Sequence, residues 1–415
     1  MLRFIHAADI HLDSPLRGLE TFPDAPVEQI RGAARRAFDN LIELALDEEV
    51  SFVLLAGDLF DGDWKDYNTG LYFMHRMGRL RDAGIRVFIV AGNHDAASQL
   101  TRSLRLPDNV TLFGSRRPET DILSGIGVAV HGQSFAARSV SEDLSLGYPP
   151  PEPGLFNIGL LHTSLSGRPG HEPYAPATTE GLAARGYDYW ALGHVHQREV
   201  VATEPWIVFP GNIQGRHIRE IGPKGCTLVT VGDGRVVDVE ARELDVLRFA
   251  MVRVHPGDCS RLSEVLDLIR TAVEAELAAA GGRPLAVRVS LEGPAEAHQL
   301  LHRRIDFLRD EIRGLAATLG EVWLEKLVLA TTPVQAVLLP EESPLAGLSV
   351  SLDGLEFDPS MLAAMIPEWP GLAAKLPPEM RDHELFHPDP AAMENLRRDV
   401  RELLLSRLGG VRHED

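Results

Sequence analysis

The segment Ile85-Arg-Val-Phe-Ile-Val90-Ala91-Gly92-Asn93-His94-Asp95 decides how the rest of the chain is read. Its apolar run, Ile85 to Val90, has the length and composition of a buried strand, and Gly92 marks the turn where that strand stops. An amide oxygen, an imidazole and a carboxylate then follow at the strand's carboxyl end, where open α/β sheets place their ligands. A packed core has no use for those three groups in a row. A single Gly-Asn-His-Asp turn is nevertheless an ordinary loop composition, so its weight depends on how the other strands finish.

Upstream, Leu2 to Ala8 reads as a first strand ending at Asp9-Ile10-His11, and Ser51 to Ala56 as a second ending at Gly57-Asp58. Side chains two apart on an extended segment point the same way, so Asp9 and His11 face one spot. The spacing predicts an amphipathic helix over Val27–Glu48, with Ile30, Ala34, Phe38, Leu41, Leu44 and Ala45 on one face. A second helix is predicted over Asn68–Asp82. A β-α-β-α-β run of this kind builds an α/β sheet whose polar strand ends gather at one edge.

Downstream, short strands dominate: Gly127–His131, Phe156–His162, Tyr187–Leu192, Ile207–Phe209 and Cys226–Val231. Tyr148-Pro-Pro-Pro-Glu-Pro153 is a stiff loop, and Gly167 to Thr179 is a second loop. A boundary is expected near Leu244. After it the pattern restarts as strand (Phe249–His255), helix (Leu262–Ala280), strand (Leu285–Leu291), helix (Glu296–Leu315) and strand (Val322–Leu329). The expected domains are 1–244, 245–335 and 336–415. The last has 15 acidic against 7 basic residues over Glu341–Asp415 and a helix from Pro390 to Leu408.

Composition narrows the class. The 415 residues, 44% hydrophobic and 24% charged, are those of a soluble globular protein of two or three domains. No apolar run reaches the roughly 20 residues of a membrane span, and the N-terminus turns polar too soon for a signal peptide. Two cysteines, Cys226 and Cys259, make no disulfide framework, so a reducing cytoplasm is the expected compartment. A net charge of −19 excludes gripping nucleic acid with the whole surface. Such binding would need metal cations, a local basic strip or a basic partner.

Five segments then fall in order at strand ends: Asp9-x-His11, Gly57-Asp58, Gly92-Asn93-His94-Asp95, His162 and Gly193-His194-Val195-His196. Each alone occurs by chance. Together they offer two carboxylates, one amide oxygen and several imidazoles, with no thiolate. That set suits a pair of first-row divalent ions better than magnesium or structural zinc. Two such ions bridged by one carboxylate generate a hydroxide and clamp a phosphate for in-line displacement.

The order Asp-x-His, Gly-Asp, Gly-Asn-His-Asp, His, Gly-His-x-His resembles the calcineurin-like metallophosphoesterases. Ala8-Asp-Ile-His-Leu-Asp13, Gly57-Asp-Leu-Phe-Asp61 and Gly193-His-Val-His196 resemble their SbcD-type and YhaO-type DNA repair exonuclease branch. The resemblance implies a two-sheet β sandwich flanked by helices, a small α/β capping domain and, here, a C-terminal helical extension. It implies that Asp9, His11, Asp58 and His196 hold one metal, with Asp58 bridging to a second held by Asn93, His162 and His194. His94 would face the scissile phosphate, with Asp61 orienting it. Manganese is the expected metal, with iron, zinc and magnesium as alternatives. DNA, an SbcC-like coiled-coil ATPase and a second copy of the chain are the implied partners, and no membrane is.

Several residues invite other readings. Asp95 is open to two, an N-cap or a further hydrogen-bond partner in the site. His6 and His131 lie in apolar strands as core histidines, His75 is a surface or packing residue on the second helix, and Gly125-Ile-Gly127 is a turn. Arg216, His217 and Arg219 form a loop that either is merely solvated or touches nucleic-acid phosphates. Arg102, Arg105, Arg116 and Arg117 make a second local basic cluster. The C-terminal stripe fits either a partner or its own domain. Rival functions are hydrolysis of a phosphoprotein, small phosphoester or cyclic nucleotide, and a non-catalytic scaffold subunit of an ATPase complex. The segment after Asp58 lacks the Val-Asp-Arg-Gly ending of serine/threonine phosphatases, and about 170 residues beyond Leu244 imply a large substrate or a partner. A scaffold would lack ligands, and none is missing.

Overall fold

The alternation of two kinds of apolar residue along the early strands shows where each layer goes. In β1 (Leu2–Ala7), β2 (Phe52–Ala56) and β3 (Arg86–Val90), residues Ile5, Val53, Leu55, Val87 and Ile89 pack into one cluster. Phe4, Phe52, Leu54, Phe88 and Val90 pack into another on the opposite face. Period-two alternation with both faces apolar is what a sheet covered on both sides requires. The first cluster is completed by α1 (Ala33–Asp47), through Phe38, Leu41 and Ile42, and by α2 (Tyr67–Asp82), through Phe73 and Met77. The computed structural model describes residues 1–13, 30, 32–60, 67–97, 105–166 and 174–334, with 347, 351, 397, 400 and 404 beyond them. Asp61, Arg102, the residues before Ile30 in the first predicted helix and most of the predicted C-terminal helix lie outside them.

The opposite cluster lies between two sheets. The first sheet has the order β12-β11-β1-β2-β3-β4, with β4 at Val110–Leu112, β11 at Gly225–Gly232 and β12 at Arg235–Glu243. Strands β1 to β4 run parallel, and β11 and β12 are antiparallel additions. The second sheet has the order β5-β6-β7-β8-β10-β9. Its strands are β5 (Glu119–Leu123), β6 (Val128–Gly132), β7 (Phe156–His162), β8 (Tyr189–Gly193), β9 (Glu199–Thr203) and β10 (Trp206–Phe209). Val130, Ile158, Leu160, Tyr189 and Val208 face Phe4, Phe52 and Phe88 across the interior. The Phe4 and Phe52 rings stack at 4.9 Å and Tyr189 meets Phe4 edge-on at 5.4 Å. Each such ring contributes roughly 1.5–3 kcal/mol by leaving water. This is the two-sheet, helix-flanked sandwich expected from the sequence.

Four strands escape sequence reading: β4, β5, β9 and β12. In β12 the pattern is mostly exposed, and β5 and β9 are partly so, so none shows a clean apolar period. They are the edge strands of the two sheets.

By internal packing the chain divides into two compact units, 1–252 with 273–288 and 316–326, and 253–272 with 289–315 and 327–415. The elements after β12 are β13 (Arg248–Val254), α3 (Leu262–Ala279), β14 (Leu285–Ala295), α4 (His298–Arg303), α5 (Ile305–Leu319) and β15 (Val322–Pro333). The three strands form one sheet in the order β13-β14-β15. The helix predicted over Glu296–Leu315 is broken at Arg304, so it becomes two. No helix among the described residues is long and apolar enough to cross a membrane.

Candidate metal centre

The loops that leave β1 and β2 are zipped together by backbone. The Asp9 N–H donates to the Gly57 carbonyl at 3.0 Å and the His11 N–H to the Asp58 carbonyl at 2.9 Å. Asp9, His11 and Asp58 hold left-handed φ angles of 52°, 46° and 53°, and His194 one of 103°. Side-chain-bearing residues in sparsely populated conformations cost about 1–3 kcal/mol each and cluster where geometry serves a function. Two motif glycines are there for room. A Cβ on Gly92 would lie 2.3 Å from Asp58 Oδ1, and one on Gly193 would lie 1.9 Å from the Ala56 carbonyl oxygen. Any larger residue would push the β3 and β8 loops off the β2 loop.

After Gly92 the chain forms a short helix, Asn93–Ala97, and the Ala96 N–H donates to the Gly92 carbonyl. Gly92 therefore holds the N-cap position, and Asp95 is a brace inside the first turn. Its carboxylate accepts from Gly92 N at 3.1 Å, Leu59 N at 3.1 Å and Phe60 N at 2.9 Å, joining the β3 loop to the β2 loop. Burial, then the nearby Asp58 charge, pushes this carboxyl up to about 7 against the pull of those three donors.

All seven ligand candidates come to one edge. Asp9, His11 and His196 form one group, Asp58, His162 and His194 another, and His11, Asp58 and His94 a third, with ligand atoms within 4.8 Å of one another in each. Asp58 is common to two of them: its Oδ2 lies 3.6 Å from His162 Nε2 and 4.0 Å from His11 Nε2. Asn93 Oδ1 lies 3.0 Å from His162 Nε2. Backbone donors aim the carboxylates, His94 N to Asp58 Oδ1 at 3.0 Å and His194 N to Asp9 at 3.1 Å.

The donor set fits metal ions. Burial lowers His162, and His196 to about 3, so both rings are neutral near pH 7, the form that ligates. His162 donates its Nδ1–H to the Ala56 carbonyl at 2.8 Å. The bare Nε2 then faces Asn93 Oδ1 and Asp58 Oδ2, three electron-rich atoms around one point. His196 likewise has Nδ1 on Glu220 Oε1 at 2.7 Å and Nε2 only 3.4 Å from His11 Nε2. The two carboxylates are also at odds. Burial and the charge of Asp58 push Asp9 well up, whereas His162, His94 and His11 pull Asp58 down in spite of its burial. Cations between these groups would satisfy the lone pairs and let both carboxylates ionise.

Residues 2–198 match the family model described as calcineurin-like phosphoesterase, and residues 249–332 match the one described as the middle domain of metallophosphoesterase YhaO. The chain is 36% identical over 298 residues to metallophosphoesterase YhaO of Bacillus subtilis, spanning 71% of this chain and 72% of that protein. It belongs to the calcineurin-like metallophosphoesterases, in the YhaO family. It is also 26% identical over 271 residues to the DNA double-strand break repair protein Mre11 of Methanopyrus kandleri, and 26% over 273 residues to that of Sulfurisphaera tokodaii. These matches span 59% and 62% of this chain but only 57% and 66% of the two relatives. Metallophosphoesterases hydrolyse phosphoesters with a dinuclear metal centre, and the groups above supply candidate ligands for one.

Around the centre of this metallophosphoesterase, the Arg216–Arg219 loop divides. Arg216 turns inward, its guanidinium 3.1 Å from Glu220 Oε1, while His217 and Arg219 are exposed. Arg105, Arg116 and Arg117 are exposed on loops. His6 and His131 are buried and hydrogen-bonded within the core, to Tyr189 and Leu192 and to Thr120 and Asn157 respectively. Glu220 is a site residue that sequence reasoning misses. Its Oε1 accepts from His196 Nδ1, and its Oε2 accepts from Arg216 N at 2.8 Å and Asn212 Nδ2 at 3.0 Å. Burial opposes its charge, but Arg216 and His196 outweigh burial and hold it ionised. The signal available was an acid closing a run of basic residues, which reads as a solvated loop. Glu220→Ala is expected to weaken metal affinity by about 10–100-fold, measured by titrating chelator-stripped protein.

Proposed function

We propose that this metallophosphoesterase is a DNA phosphodiesterase, an exonuclease in DNA repair. Asp9, His11, Asp58 and His196 would hold one manganese ion, and Asp58, Asn93, His162 and His194 the other. The observation that carries the chemistry is the convergence of all these donors, from both sheets, on one edge with His94 beside them. DNA as substrate is supported by the relatives named for double-strand break repair. When bound, the metal pair supplies an activated water and neutralises the phosphate.

The chain's own groups do the rest. Asp58 serves both ions, and the His94 N–H fixes its carboxylate. The His94 ring, half-buried and edge-on to His11 at 5.0 Å, stabilises the phosphate's developing charge and protonates the leaving oxygen. Asp61 orients that ring. Arg219 and His217 touch phosphates beside the centre and position the backbone without reading sequence; Arg216 contributes through Glu220 first. Residues 1–244 form the catalytic domain, 245–335 a DNA-handling cap and 336–415 a docking region for an SbcC-like coiled-coil ATPase. The enzyme works as a homodimer in the cytoplasm.

The test sets manganese-dependent cleavage of linear duplex DNA beside hydrolysis of a small phosphodiester. Shortening of DNA from its ends, dependent on manganese, is the expected result. Rapid turnover of the small ester or of a cyclic nucleotide with inert DNA would replace the nuclease by a small-molecule phosphodiesterase.

A further inference from the structure

Lys224 is only 6% exposed, a burial that lysine tolerates only with a partner for its charge. Its Nζ donates to the carbonyl of His196 at 2.9 Å. Its own carbonyl accepts from the N–H groups of Leu244 at 2.9 Å and Asp245 at 3.2 Å, in the segment that leads from β12 to β13. One residue thus grips the metal loop with its side chain and segment 244–248 with its backbone.

A second route joins the same two places. The buried side chain of Gln214 accepts from Val246 N at 2.9 Å and donates to the Leu247 carbonyl at 2.6 Å, reading both edges of the segment. The Gln214 carbonyl accepts from Asn212 Nδ2, which also donates to Glu220 Oε2, and Glu220 holds His196 Nδ1. Asn212 N donates to the His196 carbonyl at 3.3 Å beside Lys224 Nζ. Segment 244–248 is itself fixed: the buried Asp245 carboxylate accepts from Arg248 Nε at 2.9 Å and its carbonyl from Arg283 Nε at 2.8 Å. The two routes meet on His196, one at its carbonyl and one at its ring.

We infer that Lys224 and Gln214 are positioning residues through which segment 244–248 sets the placement of His196. Neither touches the reacting atoms. A shift of the segment displaces the Lys224 carbonyl and the Gln214 amide together, and both displacements reach the ligand. This rests on His196 being a metal ligand. A neutral side chain would fill the Lys224 position without the desolvation of an ammonium; what Lys224 adds there is the hydrogen bond to the His196 carbonyl.

The experiment uses the full chain, stripped of metal, as wild type, Lys224→Met, Lys224→Arg, Gln214→Met, the Lys224→Met/Gln214→Met double variant and His196→Ala. Manganese affinity is titrated against a chelating dye, and kcat and KM are measured on a small phosphodiester. Lys224→Met and Gln214→Met are each expected to weaken the affinity of one of the two sites by about ten-fold. They should lower kcat with KM unchanged, and Lys224→Arg should restore most of both. The double variant should lose less than the product of the single losses, because both act through one segment. Wild-type affinity and kcat in Lys224→Met, beside a lost site in His196→Ala, overturns the inference and leaves the metal assignment standing. Unchanged affinity in His196→Ala overturns that assignment and the inference with it. If Lys224→Met does not fold, Gln214→Met decides, and wild-type values there overturn the inference.

Discussion

His94→Ala is expected to lose phosphodiester hydrolysis by about 10²–10⁴-fold while both metals stay bound. The contact that organises Asp58 comes from the His94 backbone N–H, which the substitution leaves in place. Only the imidazole disappears, the group proposed to protonate the leaving oxygen and to meet the phosphate's charge. Proximity alone does not separate the two roles, because a ring nitrogen of His94 lies within 4.8 Å of ligand atoms of His11 and Asp58. Metal content measured alongside turnover separates the two roles. Two ions per chain with little turnover makes His94 the proton donor; a missing ion makes it a ligand and removes the proposed mechanism.

Asp58→Asn is expected to abolish turnover and to drop the metal content from two ions per chain to fewer than one. Asp58 stands between the two halves of the centre: its Oδ2 approaches His162 on one side and His11 on the other. An amide keeps the hydrogen bond from His94 N but carries no charge to offset two divalent ions. In wild type, manganese at 100 times its dissociation constant should add about 2.7 kcal/mol to unfolding. In Asp58→Asn that increment should vanish. A full increment in Asp58→Asn would remove Asp58 from the ligands.

What the chain discloses before folding depends on burial. The strands Phe52–Ala56 and Phe156–His162 are buried at every position, and their apolar runs announce both the strand and the polar residue that ends it. The edge strand Arg235–Glu243 is mostly exposed, carries charges on either face and looks like a loop. The ligand candidates are legible because each follows an apolar run. Glu220 and Lys224 follow none and stand beside the basic loop Arg216–Arg219. Both turn out to be buried beside His196. Charge in a short loop is evidence of solvent until a fold supplies the partners, and here those partners lie 24 and 28 residues away.

His162 stands on the last position of a strand in one sheet and donates its Nδ1–H to the Ala56 carbonyl in the other. The catalytic edge is therefore a seam, and its width is set by how Phe4, Phe52, Phe88, Ile158 and Tyr189 fill the interior behind it. Methyl-sized changes deep in that interior alter the gap between donors that belong to different sheets. The spacing of donors that belong to different sheets is thus set from the hydrophobic interior, at positions that no survey of ligands would select.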